Sequence, residues 1–333
     1  GSDPEIFVED GDGTVVPAFG FLGSKQKPNR TADVPRGDYP VYWDGFQAEF
    51  ETQADTCLAW QVDSVQLGLK AVWDASRTIC RDARLSTRTV MEIPHEVLRT
   101  ADEEHVSFGC MPSLNAYGLH GELCPPRELP FRSAGGHIHF GIGEQSDRAR
   151  AEAIVKALDA VLGVSCVSLF ESFDNPVRRK YYGLPGEYRL PKHGIEYRVL
   201  SNAWLFHPLI MNLVFDLARK ATVFGSKGFL RFWEGSENET IDVINGCDVA
   251  RSRAIMDRNK SILLHMFHAC YNDKADAELC FGIFRNGMES VVRDPNDLVG
   301  NWNLAGHWVT HSDGEGKNWK HGRALIADGR KVS

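Results

Sequence analysis

The chain is 333 residues long, 43% hydrophobic and 25% charged, the make-up of a folded globular protein with room for a large core. Its formal net charge of −8 argues against broad attraction to nucleic acid or to an anionic membrane. No apolar run reaches the about 18 residues of a spanning helix, and no signal peptide is visible. The eight cysteines include no Cys-x-x-Cys pair. Most lie in apolar, helix-like surroundings, so buried thiols in a reducing cytoplasm are expected rather than disulfides or a zinc cluster.

Residues 3–9 read as a strand, and Pro4 suits an edge or a strand start. Asp10-Gly11-Asp12-Gly13 is turn chemistry, with a return strand at 14–16. A Gly- and Pro-rich loop holding Lys25 follows, and residues 39–52 then read as one strand. Leu58, Val62, Val65, Leu69, Val72 and Ile79 recur at helical spacing and predict an amphipathic helix over 54–81. A short strand is expected at 87–93, a helical turn at 94–102 and irregular chain over 105–132. The stretch from Ser133 to Gly143 alternates and is bracketed by glycines. Asp147 stands where a cap is needed for a helix to about 171. Two strand-like pieces, 187–190 and 194–200, precede a strongly apolar helix at about 204–224. Further helices are expected at 237–246, 249–272 and 275–291, and the tail from Asp294 is weakly patterned. Neither a repeat nor a domain linker is visible. Interleaved strands and helices followed by a helical half predict an α+β fold with an antiparallel or mixed sheet.

In a strand, residues i and i+2 share a face. His137 and His139 therefore face one way, and Ile138 and Phe140 the other. Three more strands carry such polar pairs: Asp3 with Glu5, Glu49 with Glu51, and Glu196 with Arg198. Any one pair, taken alone, reads as a solvated face of an antiparallel sheet. Together, beside apolar and aromatic neighbours, they predict one sheet face of carboxylates, imidazoles and a guanidinium. Crowded carboxylates repel one another and call for divalent cations. Oxygen ligands with an imidazole or two suit Mg²⁺ or Mn²⁺ better than structural zinc. Asp44, five residues before Glu49, points to the other face of a regular strand. It reaches the site only if Gly45 marks a bulge. Arg178 and Lys180 read as surface basicity. Arg189 and Arg198, embedded in aromatic strands, read as groups that hold a carboxylate or phosphate.

Several pieces in this order resemble the phage-associated carboxylate–amine ligases of type 2, within the glutamine synthetase/glutamate–cysteine ligase superfamily. They are Gly-Ser-Asp-Pro-Glu-Ile-Phe-Val at the start, Gly23-Ser24-Lys25 with Pro28, and Asp44-Gly45-Phe46-Gln47-Ala48-Glu49-Phe50. Phe108-Gly109-Cys110, Ala134-Gly135-Gly136-His137-Ile138-His139-Phe140-Gly141, Arg178-Arg179 with Tyr182-Gly183, and Gly194-Ile195-Glu196-Tyr197-Arg198 complete the set. One departure is Ser113, where the family pattern suggests an aspartate. The resemblance covers about residues 1–205. It implies a glutamine-synthetase-like catalytic fold, a curved antiparallel sheet with helices on its outer face and the site on its concave face. One domain would span 1–333, with a recognisable core over about 1–225 and a helical C-terminal extension over about 226–333. It also implies ATP, Mg²⁺ or Mn²⁺, and an amide or isopeptide bond made through an acyl phosphate. By position, Asp3, Glu5, Glu49, His137 and Glu196 resemble metal ligands, with Glu51 a weaker candidate. Arg198 resembles the arginine at the transferring phosphoryl group, with Arg179 and Glu196 beside it in catalysis. His139, Arg189 and Lys25 resemble nucleotide contacts. The implied partners are a carboxylate and an amine, small-molecule or peptide, in a bacterial or phage-infected host cytoplasm, with no nucleic acid, no membrane and the oligomeric state open. The alternatives are a metal-dependent hydrolase built on the His/carboxylate cluster and an inactive phage scaffold protein.

Overall fold

The computed structural model describes residues 1–31, 38–107, 113–142, 147–271 and 273–306. The strands in chain order are β1 (Ser2–Ile6), β2 (Val8–Glu9), β3 (Asn29–Arg30), β4 (Pro40–Asp44), β5 (Gln47–Phe50), β6 (Arg84–Leu85), β7 (Val90–Glu92), β8 (Leu114–Asn115), β9 (Phe131–Ser133), β10 (Gly136–Gly141), β11 (Glu187–Arg189) and β12 (Gly194–Tyr197). The main sheet has eight strands in the order β3-β4-β5-β1-β10-β12-β11-β8. All its pairings are antiparallel. Two small pairs, β2 with β6 and β7 with β9, flank it.

The helices are α1 (Leu58–Ile79), α2 (His95–Thr100), α3 (Glu103–Val106), α4 (Arg148–Leu158), α5 (Val164–Leu169), α6 (Pro208–Ser226), α7 (Glu237–Gly246), α8 (Val249–Arg258), α9 (Lys260–Tyr271), α10 (Lys274–Asn286) and α11 (Leu298–Asn301). One face of the main sheet is apolar: Ile6, Val41, Ala48, Phe50, Ile138, Ile195 and Tyr197 share a buried cluster with Val65 and Leu69 of α1, Ile154 and Leu158 of α4, and Ile210 and Val214 of α6. Strand alternation sends the intervening polar residues to the opposite face. Asp147 caps α4 as expected, its Oδ1 accepting from the Ala149 amide at 3.2 Å. A single π turn over Asp159–Gly163 links α4 to α5. Among the described residues no helix is long and apolar enough to cross a membrane.

Several local expectations change. The stretch 39–52 is a hairpin, with β4 and β5 joined by Gly45-Phe46. Gly45 takes φ +62°, which a two-residue hairpin turn requires at its first position. Phe46 hides the turn in the sequence because it is fully buried and continues the apolar pattern. Pro4 lies in a central strand, not at an edge. Strand β1 pairs with β10 over residues 2–4 and with β5 only from Glu5, so the missing proline donor falls where the second pairing has not begun. The helix expected over 249–272 breaks into α8 and α9 at Asn259, whose side-chain amide donates to the Glu234 and Ile255 carbonyls. The seven described cysteines are thiols, but only Cys166 and Cys280 are buried and Cys57 is exposed. Phe108-Gly109-Cys110, Gly143 and the tail beyond Gly306 lie outside the described residues.

Gly68 of α1 lies directly over Phe50 of β5, where an added Cβ would enter the ring's contact distance. Gly68→Ala is therefore expected to lower stability by about 1–3 kcal/mol, against the gain of about 1 kcal/mol that alanine brings to a helix interior. Urea unfolding measures it. Unchanged or increased stability would show that the helix does not bear on Phe50.

Candidate active site

Register decides which polar side chains meet. In an antiparallel pair, residues directly opposite share a face. Asp3 stands opposite His137, Glu5 opposite Glu49, and His139 opposite Glu196. Across the hairpin Tyr42 stands opposite Glu49 and Asp44 opposite Gln47. Arg189 stands opposite Glu196. Five adjacent strands thus bring carboxylates and imidazoles to the face that the helices leave uncovered. Asp44 reaches that face because the chain reverses at Gly45-Phe46, not through a bulge.

Among the described residues two groups of ligand atoms result. Glu5, Asp44 and Glu49 form the first, and Asp3, His139 and Glu196 the second. Within each, the atoms lie within 4.8 Å of one another. Three carboxylates suit Mg²⁺ or Mn²⁺, and two carboxylates with an imidazole suit Mn²⁺ well and Mg²⁺ acceptably. The carboxylates are perturbed by burial and by one another. Burial, reinforced by Asp44, pushes Glu5 up to about 7. Burial, with Asp3 and Asp44 nearby, raises Glu49 well above the carboxylate range. Asp44 is raised by burial as well. Asp3 behaves differently: burial pushes it up, but the imidazoles of His137 and His139 outweigh this and hold it well below its ordinary value.

His139, expected as a phosphate contact, stands within one ligand group, and His137, expected as a metal ligand, lies beside it. His139 Nε2 lies 2.9 Å from Asp3 Oδ1 and belongs to the second ligand group. Its Nδ1 meets His193 Nε2 at 3.0 Å. His137 belongs to neither group. It is 2% exposed, and its Nδ1 lies 3.4 Å from Asp3 and 3.8 Å from Glu196. Burial and then Arg198 lower it to about 4, so it is neutral near pH 7.

Tyr182 is the residue that sequence reasoning missed. Its hydroxyl donates to Glu5 Oε1 at 3.1 Å, accepts from Arg198 Nη2 at 3.1 Å and bonds His137 Nε2. Its ring lies between two guanidinium groups, 5.4 Å from Arg178 and 5.3 Å from Arg198. Only the Tyr182-Gly183 dipeptide hinted at it. Arg198 is itself buried and bound to Glu196, and Arg189 Nη1 lies 3.4 Å from the same carboxylate.

Arg179 and Arg178 do not join this cluster. Arg179 forms a buried ion pair with Asp174 at 2.7 Å and donates to the Gly183 and Val199 carbonyls. Arg178 is fully buried rather than a surface residue, and donates to Val199 and Leu200 at 3.0 and 2.7 Å. Together they fix the backbone just after Arg198. Lys180 is exposed, as expected. Lys25 and Glu51 sit at the rim. Lys25 Nζ is 3.8 Å from both Glu49 and Glu51, and Tyr42 donates to the same two carboxylates. Glu51 belongs to neither ligand group.

Beside the first ligand group lies a cavity of about 380 Å³. Its wall includes Glu5, Asp44, Gln47, Tyr182 and Arg198 together with residues of the segment from Ser113 to Ser133. Ser113, the departure noted above, is part of that wall.

Residues 128–228 match the family model described as phage phiEco32-like COOH.NH2 ligase-type 2. The resemblance carried by the motifs is shown over this stretch, which holds His137, His139, Arg178 to Tyr182, Glu196 and Arg198. Asp3, Glu5, Asp44 and Glu49 lie outside it and are joined to it by strand pairing. No curated protein and no solved structure matches the chain.

A divalent cation bound at Glu5 would carry a pH signature. With the Glu5 pKa raised, its share of stability in the cation-free protein is present below the ordinary carboxylate range and is lost as pH rises through about 7. A cation must displace the proton below that pH and finds an ionised group above it. Mn²⁺ is expected to raise Tm by at least about 3 °C at pH 8 and by less than half as much at pH 5.5. Calorimetry with and without the ion measures it. An equal shift at both values, or none, would remove the cation from this face.

Proposed function

We propose that the protein is an ATP-dependent carboxylate–amine ligase working on this sheet face. Two acidic ligand groups set against Arg198 and Arg189 carry this reading, within strands that include the family-matched stretch. A carboxylate is a poor electrophile. One of its oxygens would attack the γ-phosphorus of ATP, releasing ADP and leaving an acyl phosphate. The amine nitrogen would then attack the acyl carbon, phosphate would leave, and the amine would lose its proton. Phosphoryl transfer of this kind depends mainly on positioning and on neutralising charge. Mg²⁺ or Mn²⁺, held by Glu5, Asp44 and Glu49 and by Asp3, His139 and Glu196, would supply much of that neutralisation.

The chain's own groups take the remaining roles. Arg198 presents its guanidinium to the transferring phosphoryl group, oriented by Glu196 and Tyr182. Arg189, 26% exposed at its side chain, and Lys25 at the rim are placed to meet nucleotide phosphates. Neutral His137 bonds the Tyr182 hydroxyl. Arg179 acts from behind, fixing the carbonyl of Val199 next to Arg198. The antiparallel sheet with an acidic face is the arrangement that a glutamine-synthetase-like catalytic fold would supply. A hydrolase would need the carboxylates and histidines but not the guanidinium pair.

ADP release from ATP with Mg²⁺ and a panel of carboxylates and amines tests the reading. Glu196→Gln and Arg198→Lys are each expected to lower turnover by about 100-fold or more, the scale for loss of one preorganised charge-stabilising group. Tyr182→Phe is expected to lower it by about tenfold, through the orientation of Arg198. Bond cleavage by the metal-loaded protein without ATP would replace this reading with the hydrolase. Full turnover in the Arg198 variant would move the site elsewhere.

A further inference from the structure

We propose that His193 is a positioning residue for the second ligand group, presenting His139 to a divalent cation by accepting the hydrogen bond of its other ring nitrogen. The inference rests on the ligase reading for the presence of that cation.

The first observation is the geometry of the two rings. His139 turns Nε2 to Asp3 Oδ1 at 2.9 Å, and Asp3 and Glu196 are its companions in the ligand group. A neutral imidazole that gives one nitrogen to a cation carries its hydrogen on the other. With Nε2 given to the cation, Nδ1 of His139 is therefore a donor and needs an acceptor. His193 Nε2 stands 3.0 Å from it. The ring centroids are 5.1 Å apart at an interplanar angle of 32°, so the nitrogens meet rather than the ring faces. A neutral His193 with its hydrogen on Nδ1 accepts at Nε2. That bond fixes which nitrogen of His139 is offered to a metal, and fixes the rotation of the ring as well.

The second observation is that the chain makes room for this contact. His193 lies in the turn between β11 and β12, which the Gly194 amide closes by donating to the Pro191 carbonyl at 3.0 Å. His139 stands opposite Glu196, and Gly141 opposite Gly194. Residues two apart on a strand share a face, so the glycine pair lies on the site face directly beside the pair that supplies two of the ligands. No side chain occupies that place, and the His193 ring lies back to His139. The backbone itself demands glycine at 194, where φ is +147° and an added Cβ would run into the Phe140 carbonyl oxygen. His193 is exposed. Its place is not dictated by burial, and its removal leaves no hole in the core.

Mn²⁺ binding to the full chain at about pH 8, where an unperturbed histidine is neutral, tests the proposal without reference to turnover. Free Mn²⁺ is counted by its electron paramagnetic resonance, and pulsed measurement on the bound ion reads its coupling to nitrogen. Wild-type protein is expected to bind Mn²⁺ with a nitrogen coupling that His139→Asn removes. His193→Ala is expected to weaken this nitrogen-coupled binding by about tenfold or more, the scale for loss of a group that orients a ligand. His193→Phe keeps an aromatic ring without an acceptor and is expected to match alanine. His193→Gln places Oε1 near the position of Nε2 and is expected to bind within about threefold of wild type. Should the alanine variant not fold, by its melting curve, the phenylalanine and glutamine variants carry the comparison. Unchanged affinity in the alanine and phenylalanine variants would overturn the proposal. So would glutamine as weak as alanine, or a bound ion with no nitrogen coupling. Wild-type protein that binds no Mn²⁺ would overturn it together with the cation of the ligase reading. Binding that depends on His193, with no ADP released from ATP for any carboxylate and amine, would leave the proposal standing and remove the ligase reading.

Discussion

Repulsion between carboxylates governs this structure. Asp3, Glu5, Asp44, Glu49 and Glu196 are crowded onto neighbouring strands, and three of the five, Glu5, Glu49 and Glu196, are buried. A surface sheet would relieve such crowding by bending or fraying. Here it cannot, because the reverse side of the same strands is fully committed. Ile6, Val41, Ala48, Phe50, Ile138 and Ile195 are packed under α1, α4 and α6. The apolar side thus holds the polar side in an arrangement that it would not adopt alone, with Lys25, Arg189 and Arg198 as positive groups beside it.

Bracing from behind is equally specific. Beyond Tyr197 the last strand runs out of regular pairing, and Arg178 and Arg179 take over by donating to the carbonyls of Val199 and Leu200. Arg179 is held by Asp174, so its charge is matched where it stands. Tyr182, placed between Arg178 and Arg198, carries this order forward into the site. Its hydroxyl touches an acid of the first ligand group, the arginine and the neutral histidine at once.

The polar pairs at spacing two were legible, because strand alternation is a local property. Asp3, Glu5, Glu49, His137, His139, Glu196 and Arg198 all come to one face, as their spacing predicts. Pairing partners were not legible, since they depend on register between distant segments. Asp44 looked misdirected because Gly45-Phe46 did not read as a turn. The places of His137 and His139 follow from what stands across from them, Asp3 for one and Glu196 for the other. Arg178 looked like surface charge because a buried arginine bound to backbone carbonyls leaves no mark in sequence. Tyr182 escaped notice because its importance lies in its three partners, all remote or on the far side of a turn. The break at Asn259 was hidden by an apolar periodicity that runs through it.

Strand β1 also acts as a ruler. It gives Asp3 to one ligand group and Glu5 to the other, and those residues are one pleat repeat apart, about 6.8 Å along an antiparallel strand. Flexible loops do not set this interval. It comes from the covalent geometry of the backbone, which side-chain substitution cannot alter. The two ligand groups therefore stand at a separation that is fixed before any ligand arrives.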